Sequence, residues 1–283
     1  MRPFHDRRSK IVMSFATLWL FAPGIMWADP NDALARRLTR IRADSRAASV
    51  DKAALESRCL ELLADYNTPS QRGKIYAAVA AAYSERGFGV STDRATSIAK
   101  TIEFATKALD CPLDVPTACH MYGRMTDALI ASGKEAPADK WPQIRRAAIV
   151  PCLKGLKLAL DNKAPRERPQ SPPKVTVPNI IRIGGTQTDQ ERKRRYEEQL
   201  EARRQYDRME ELYSQRRVLT QLCAALYARP PYDSDEFRTY AQQILVGQDE
   251  GLSEIIRCVN EQIELMKNPP RVPSDEPRQE GSS

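Results

Sequence analysis

An alanine-rich amphipathic segment occurs twice in this chain, and its repetition constrains the fold more than any other feature of the sequence. The first copy, GKIYAAVAAAYSERG, spans residues 73–87. Residues three and four positions apart are neighbours on a helix surface, so its apolar residues would form one stripe. The small residues in the stripe allow another helix to approach closely. The stripe consists of Ile75, Ala78, Val79, Ala82 and Tyr83.

The second copy, TACHMYGRMTDALIASG, spans residues 117–133. Each copy is followed by a further helical pattern, at residues 91–110 and 141–161, and Pro151 predicts a kink or a break in the latter. A single hairpin of this kind cannot bury its apolar face, so neighbouring hairpins must stack on one another. Tyr122, Met125 and Leu129 stand where Tyr76, Val79 and Tyr83 stand in the first copy, an offset of 46 residues.

A long charged helix is predicted from Gln190 to about Arg229. Residues 190–211 contain seven basic and seven acidic side chains, whereas apolar residues become frequent only beyond Met209. Such a mixed-charge helix is typically solvated, so its first half is expected to project and its second half to pack. The expected fold is therefore all-α: antiparallel helical hairpins stacked as a short unit, then a long charged helix and a small C-terminal helical unit.

The stretch from residue 51 to 161 resembles a tetratricopeptide repeat protein. The resemblance rests on Tyr76, Ala80 and Tyr83 in the first helix of a hairpin, and on Phe104 or Ala105, Ala108 and Pro112 in the second. The period of 46 residues exceeds the usual period of about 34, and the Leu-Gly pair of the first helix is missing. The chain also resembles exported bacterial helical proteins of unassigned function.

The tetratricopeptide resemblance implies a concave surface that binds a peptide or a partner helix. Tyr76, Tyr83 and Tyr122 are the candidate residues of that surface. Packing of the same three rings in the core is the alternative.

The N-terminus has the pattern of a secretory signal peptide. A basic start is followed by an uncharged segment, and a small residue, Ala28, precedes the first polar stretch. Cleavage after Ala28 would leave an exported protein, periplasmic or secreted, with no stable membrane span; an uncleaved anchor is the alternative. The formal net charge of +7 falls when this segment is removed, and the mild remainder argues against nucleic-acid binding.

These patterns divide the chain into six segments. They are a signal peptide (1–28), a polar segment (29–50), the tetratricopeptide-like unit (51–161), a Pro-rich linker (162–189), a C-terminal helical region (190–268) and a disordered tail (269–283).

Six cysteines permit disulfides if the chain enters an oxidising compartment. The pairs predicted are Cys111 with Cys119, across a helix–helix turn, and Cys223 with Cys258. The alternative is that several of these cysteines are small buried apolar residues.

The sequence offers little for catalysis, and no cofactor or metal is expected. Beyond the signal segment its one histidine is His120. The neighbouring Cys119 points about 100° away on a helix, so the two cannot easily converge on one ion or proton. Asp127, Glu103 and Asp114 are the acids that a helical hydrolase site could use.

The expected function is a non-enzymatic protein–protein interaction scaffold of the bacterial cell envelope, with an unidentified protein partner. Self-association through the 190–229 helix is the first alternative. An exported hydrolase is the second.

Overall fold

The computed structural model describes residues 33–45, 51–85, 93–134, 136–175 and 189–268. Within these ranges the protein is all-α, without a β-strand, which confirms the predicted fold class. Two short 3₁₀ turns, Leu62–Ala64 and Ala138–Lys140, accompany the helices. The helices are α1 (Ala33–Ser45), α2 (Lys52–Glu61), α3 (Pro69–Ser84), α4 (Arg94–Leu109), α5 (Val115–Ser132), α6 (Trp141–Asp161), α7 (Asp189–Tyr227), α8 (Ser234–Ile244) and α9 (Asp249–Lys267).

Local capping signals fix where the two repeated helices begin. Thr68 caps α3 and forms a capping box with Gln71, and Asp114 caps α5 by accepting a hydrogen bond from the Thr117 amide at 2.9 Å. Each helix has a proline in its first turn, where its missing N–H costs nothing. The two helices therefore start 46 residues apart, in agreement with the repeat in the sequence.

The hairpins stack in the expected order. Helix α3 packs on α4, α5 packs on α6, and the odd-numbered helices α1, α3, α5 and α7 each contact the next one in the series. Helix α7 contacts both α5 and α6, as α5 contacts both α3 and α4, and α9 packs on α7. The long helix thus continues the stack, and residues on both sides of the predicted linker share one hydrophobic core.

Close contacts at Gly155 bring three helices together. A Cβ atom at this position would lie 2.7 Å from Cβ of Tyr122 on α5 and 3.3 Å from Cδ1 of Leu219 on α7. Only glycine allows α6 to approach both neighbours at this distance. The contact of α5, α6 and α7 therefore depends on one missing side chain.

Helix α6 runs without interruption through Pro151, so the predicted break does not occur. The proline removes one backbone donor, but Pro151 and its neighbours Ile149, Cys152 and Leu153 are buried against the adjoining helices. Packing of this apolar segment holds the helix together across the lost hydrogen bond.

Helix α7 has two different halves. None of its described side chains between residues 191 and 211 is buried, whereas from Leu212 onward it contributes to the core. Ion pairs within the helix support the exposed half, including Arg194 with Glu198 at 3.0 Å and Arg203 with Asp207 at 3.1 Å. This division matches the one predicted from the charge pattern. We call residues 191–211 the α7 arm.

Across the described ranges, no helix combines the length and the apolar content that crossing a lipid bilayer requires. The predicted signal peptide (1–28), the segment from residue 176 to 188 and the predicted tail from residue 269 lie outside the described residues.

Candidate functional site

The three tyrosines of the predicted binding surface occupy different environments. Tyr83 is 4% exposed, and its hydroxyl donates a hydrogen bond to Oε2 of Glu56 at 2.6 Å, so its ring belongs to the core. Tyr76 is half-buried with its ring centroid 6.1 Å from that of Phe104. Tyr122 is half-buried against Gly155. Tyr83 is therefore a core residue, whereas Tyr76 and Tyr122 each keep a partly exposed ring.

The three acids considered for a hydrolase site also have different structural roles. Glu103 is an exposed side chain held by Lys107 at 2.6 Å, and Lys107 keeps the pKa of Glu103 below its ordinary value. Asp114 is occupied as the cap of α5. Asp127 is half-buried, and burial raises its pKa. No two of these carboxyl groups are joined by a shared partner.

The structure instead brings polar side chains from α1, α3, α5 and α7 together. We call this group the interior polar cluster. It consists of Arg42 from α1, Ser84 and Glu85 at the end of α3, His120 and Arg124 from α5, and Glu211 and Gln215 from α7.

Arg124 is the centre of this cluster. Its side chain is 7% exposed, and its Nε donates to Nε2 of His120 at 2.6 Å. The same guanidinium bonds to the hydroxyl of Ser84 and lies 3.5 Å from Oε2 of Glu85. Burial, together with the positive charge of Arg42, lowers the pKa of Arg124 to about 10. The buried guanidinium of Arg124 therefore connects the C-terminal end of α3 to the middle of α5.

The hydrogen bonds around His120 determine its tautomer. A guanidinium only donates, so Nε2 of His120 must accept and the neutral ring carries its proton on Nδ1. Nδ1 lies 3.3 Å from the side-chain amide of Gln215. The buried Oε1 of Gln215 has no hydrogen-bond partner among the described residues. Rotating the Gln215 amide by 180° exchanges its nitrogen and oxygen, so that Oε1 accepts the hydrogen bond that Nδ1–H of His120 donates. Both atoms then have a hydrogen-bond partner.

Burial and neighbouring charges shift the pKa values of His120 and Glu211 in opposite directions. Burial and the adjacent charges of Arg124 and Arg42 lower the pKa of His120 well below its ordinary value. Burial and the nearby Asp114 raise the pKa of Glu211 to about 7, although Arg42 opposes this effect. The cluster therefore contains a neutral imidazole and a carboxyl group that titrates near neutral pH.

This arrangement joins side chains from helices that are far apart in the chain. The basic nitrogen of His120 is already bound to Arg124, and a general base needs that nitrogen for a substrate proton. Among the described residues there is no group of three or more side chains able to hold a metal ion. The polar contacts instead fix the register of α3, α5 and α7 relative to one another.

Sequence reasoning treated His120 as an ordinary helix residue and missed this cluster. Its spacing was visible, since His120, Arg124 and Asp127 lie four and three residues apart on α5, and Glu211 and Gln215 repeat the spacing on α7. The same spacing is typical of a solvated face. Only the contact of α5 with α7 shows that these residues form a polar cluster between helices and not a solvated helix face.

All six cysteines are free thiols in this structure, so neither predicted disulfide is formed in it. Sγ of Cys119 donates to the carbonyl oxygen of Gly155 at 3.4 Å, whereas Cys111 bonds to the carbonyl oxygen of Lys107. Cys223 lies 3.1 Å from Cys152, sulfur to sulfur. Both predicted pairs remain predictions for the oxidised protein.

The chain matches no protein-family model, and no curated protein or solved structure is similar enough to it to count as a match.

Proposed function

We propose that this protein is an exported, non-enzymatic scaffold of the bacterial cell envelope that binds another protein through the α7 arm. The arm itself carries the proposal. It covers about 30 Å of helix at about 1.5 Å per residue, and its described side chains are exposed or half-buried. A helix with exposed and half-buried side chains can contact a second chain.

The spacing of half-buried residues on the arm favours a helical partner. Tyr196, Leu200, Arg203 and Asp207 recur at intervals of three and four residues, and charged side chains flank them on both sides. A partner helix that presents apolar residues at the same spacing would fit this stripe. The flanking charges would then set its orientation, as the charges beside a coiled-coil seam do.

The non-enzymatic part of the proposal is supported by the site geometry. Glu103 pairs with Lys107, Asp114 caps α5, and the basic nitrogen of His120 accepts a hydrogen bond from Arg124. The tetratricopeptide resemblance adds to the proposal as an expectation, because such hairpin stacks present surfaces to peptides and helices.

Cross-linking in the native cell envelope, followed by affinity capture and mass spectrometry of the tagged full-length chain, tests the proposal. The test variant combines Tyr196→Ala with Leu200→Ala, on the half-buried stripe. The matched control combines Glu197→Ala with Glu201→Ala, on the exposed side of the same two turns. Circular dichroism establishes that both variants keep the helix content of the wild type.

We expect one stoichiometric partner to be captured by the wild type and the control, and to be lost from the Tyr196/Leu200 variant. Equal capture by all three chains would rule out the arm as the binding element. Cross-links between copies of the chain alone would favour the second candidate, self-association through the 190–229 helix. Capture of no partner by any of the three would contradict the scaffold proposal.

A further inference from the structure

Two buried cysteines face each other across the contact between α6 and the packed half of α7. Cys152 and Cys223 are both fully buried, and their sulfur atoms lie 3.1 Å apart. A disulfide needs about 2.05 Å between the sulfurs, so a mutual approach of ~1 Å suffices. No other pair of cysteine sulfurs in the described residues makes such a contact.

The hydrogen bonds show that the two thiols already point at each other. Sγ of Cys152 lies 3.2 Å from the carbonyl oxygen of Leu219, which only accepts, so Cys152 donates its proton there. The proton of Cys223 is then directed at the sulfur of Cys152. The proton of Cys223 and a lone pair of the Cys152 sulfur therefore lie between the two sulfur atoms, where a disulfide bond would form.

We propose that Cys152 and Cys223 form a disulfide that joins the long helix covalently to the hairpin stack. The oxidant is an external disulfide, such as oxidised glutathione or the active-site disulfide of a thiol oxidoreductase. One cysteine thiolate attacks this disulfide, forms a mixed disulfide and releases one thiol. The second cysteine thiolate attacks the cysteine sulfur of the mixed disulfide and releases the second thiol. The external disulfide gains two electrons, and the two cysteine protons pass to the released thiols.

The bond forms while the chain folds. Burial and the adjacent Cys152 raise the pKa of Cys223 well above its ordinary value, so the closed structure holds no thiolate to react. Before α7 packs on α6 both thiols are accessible to an oxidant. The cysteines lie 71 positions apart in the chain, and closing so long a loop restricts the unfolded state strongly.

Refolding in a glutathione redox buffer tests the inference on the full-length chain. Unfolded, reduced protein is refolded with reduced and oxidised glutathione, alkylated in denaturant and mapped by mass spectrometry without reduction. We expect one linked peptide pair containing Cys152 and Cys223, four alkylated cysteines, and a melting temperature about 5–10 °C above that of the reduced protein. The same oxidant added to the folded, reduced protein is expected to react far more slowly.

Cys111→Ala together with Cys258→Ala is the matched control, because it removes one member of each pair predicted from sequence and should leave the bond intact. Cys223→Ala should abolish both the linked peptide and the shift in melting temperature. Alkylation of Cys152 and Cys223 in the refolded, oxidised wild type would overturn the inference. A linkage of Cys223 to Cys258 would overturn it equally.

Discussion

Replacing Glu211 with glutamine should stabilise the protein, and it should do so only above mildly acidic pH. The pKa of Glu211 rises from 4.5 to about 7 in the folded state because its half-buried side chain is partly shielded from water and lies near Asp114. Folding therefore favours the protonated carboxyl group. Its contribution is fully present below pH 4.5 and is lost as the pH rises from 4.5 through 7.

The magnitude follows from the two pKa values. Their difference corresponds to about 3 kcal/mol at about 1.36 kcal/mol per pKa unit. The carboxylate is partly exposed and gains attraction from Arg42, so we expect a net gain of about 2 kcal/mol for Glu211→Gln at pH 8. At pH 4.5 the wild-type carboxyl group is protonated and the gain should approach zero.

Urea denaturation followed by circular dichroism at pH 4.5, 6 and 8 measures this difference. Glu210→Gln is the matched control, since Glu210 forms an ion pair with the exposed Arg168 and its replacement should cost less than about 1 kcal/mol. Equal effects of Glu211→Gln at pH 4.5 and pH 8, or a loss of stability at pH 8, would refute the link between burial and the raised pKa.

Three further predictions concern the same helices. Gly155→Ala places a Cβ 2.7 Å from that of Tyr122 and should cost about 1–3 kcal/mol in urea denaturation; an unchanged midpoint would contradict the tight contact. Arg145→Met leaves Glu236 with the exposed Arg146 and the Tyr227 hydroxyl and should lower the free energy of unfolding by about 3 kcal/mol; a gain in stability would show that the buried pair opposes folding. His120 stays neutral in the fold, so its own contribution to stability should fall below pH 6.5, and His120→Gln should remove that part of the pH dependence; a pH profile unchanged by the substitution would contradict a neutral His120.

Periodicity was enough to predict the helices and their stacking. Ile75, Val79 and Tyr83 of the predicted stripe are buried, but so are Ala77, Ala80 and Ala81 outside it, and Ala78 within it is only half-buried. The 46-residue offset located the start of α5. Charge density separated the exposed arm of α7 from its packed half. These features depend on residues that are close together in the chain, so the sequence pattern alone predicts them.

The interior polar cluster could not be predicted in the same way. His120 and Gln215 are 95 positions apart, and nothing in either helix shows that the other will cover it. A polar residue on a helix is solvated unless a neighbour buries it, so the sequence alone favoured the wrong surroundings. The contact of Cys152 with Cys223 was missed for the same reason, because cysteine spacing contains no information on which helix faces which.

The length of α7 has a mechanical consequence. Its 39 residues form a helix about 58 Å long, which packs in the core from Leu212 onward and whose described side chains between residues 191 and 211 are exposed or half-buried. A sideways force on the N-terminal end of α7 acts about 45 Å from Leu219, the residue that contacts Gly155. A partner bound at that end would therefore load the close contact between α6 and α7.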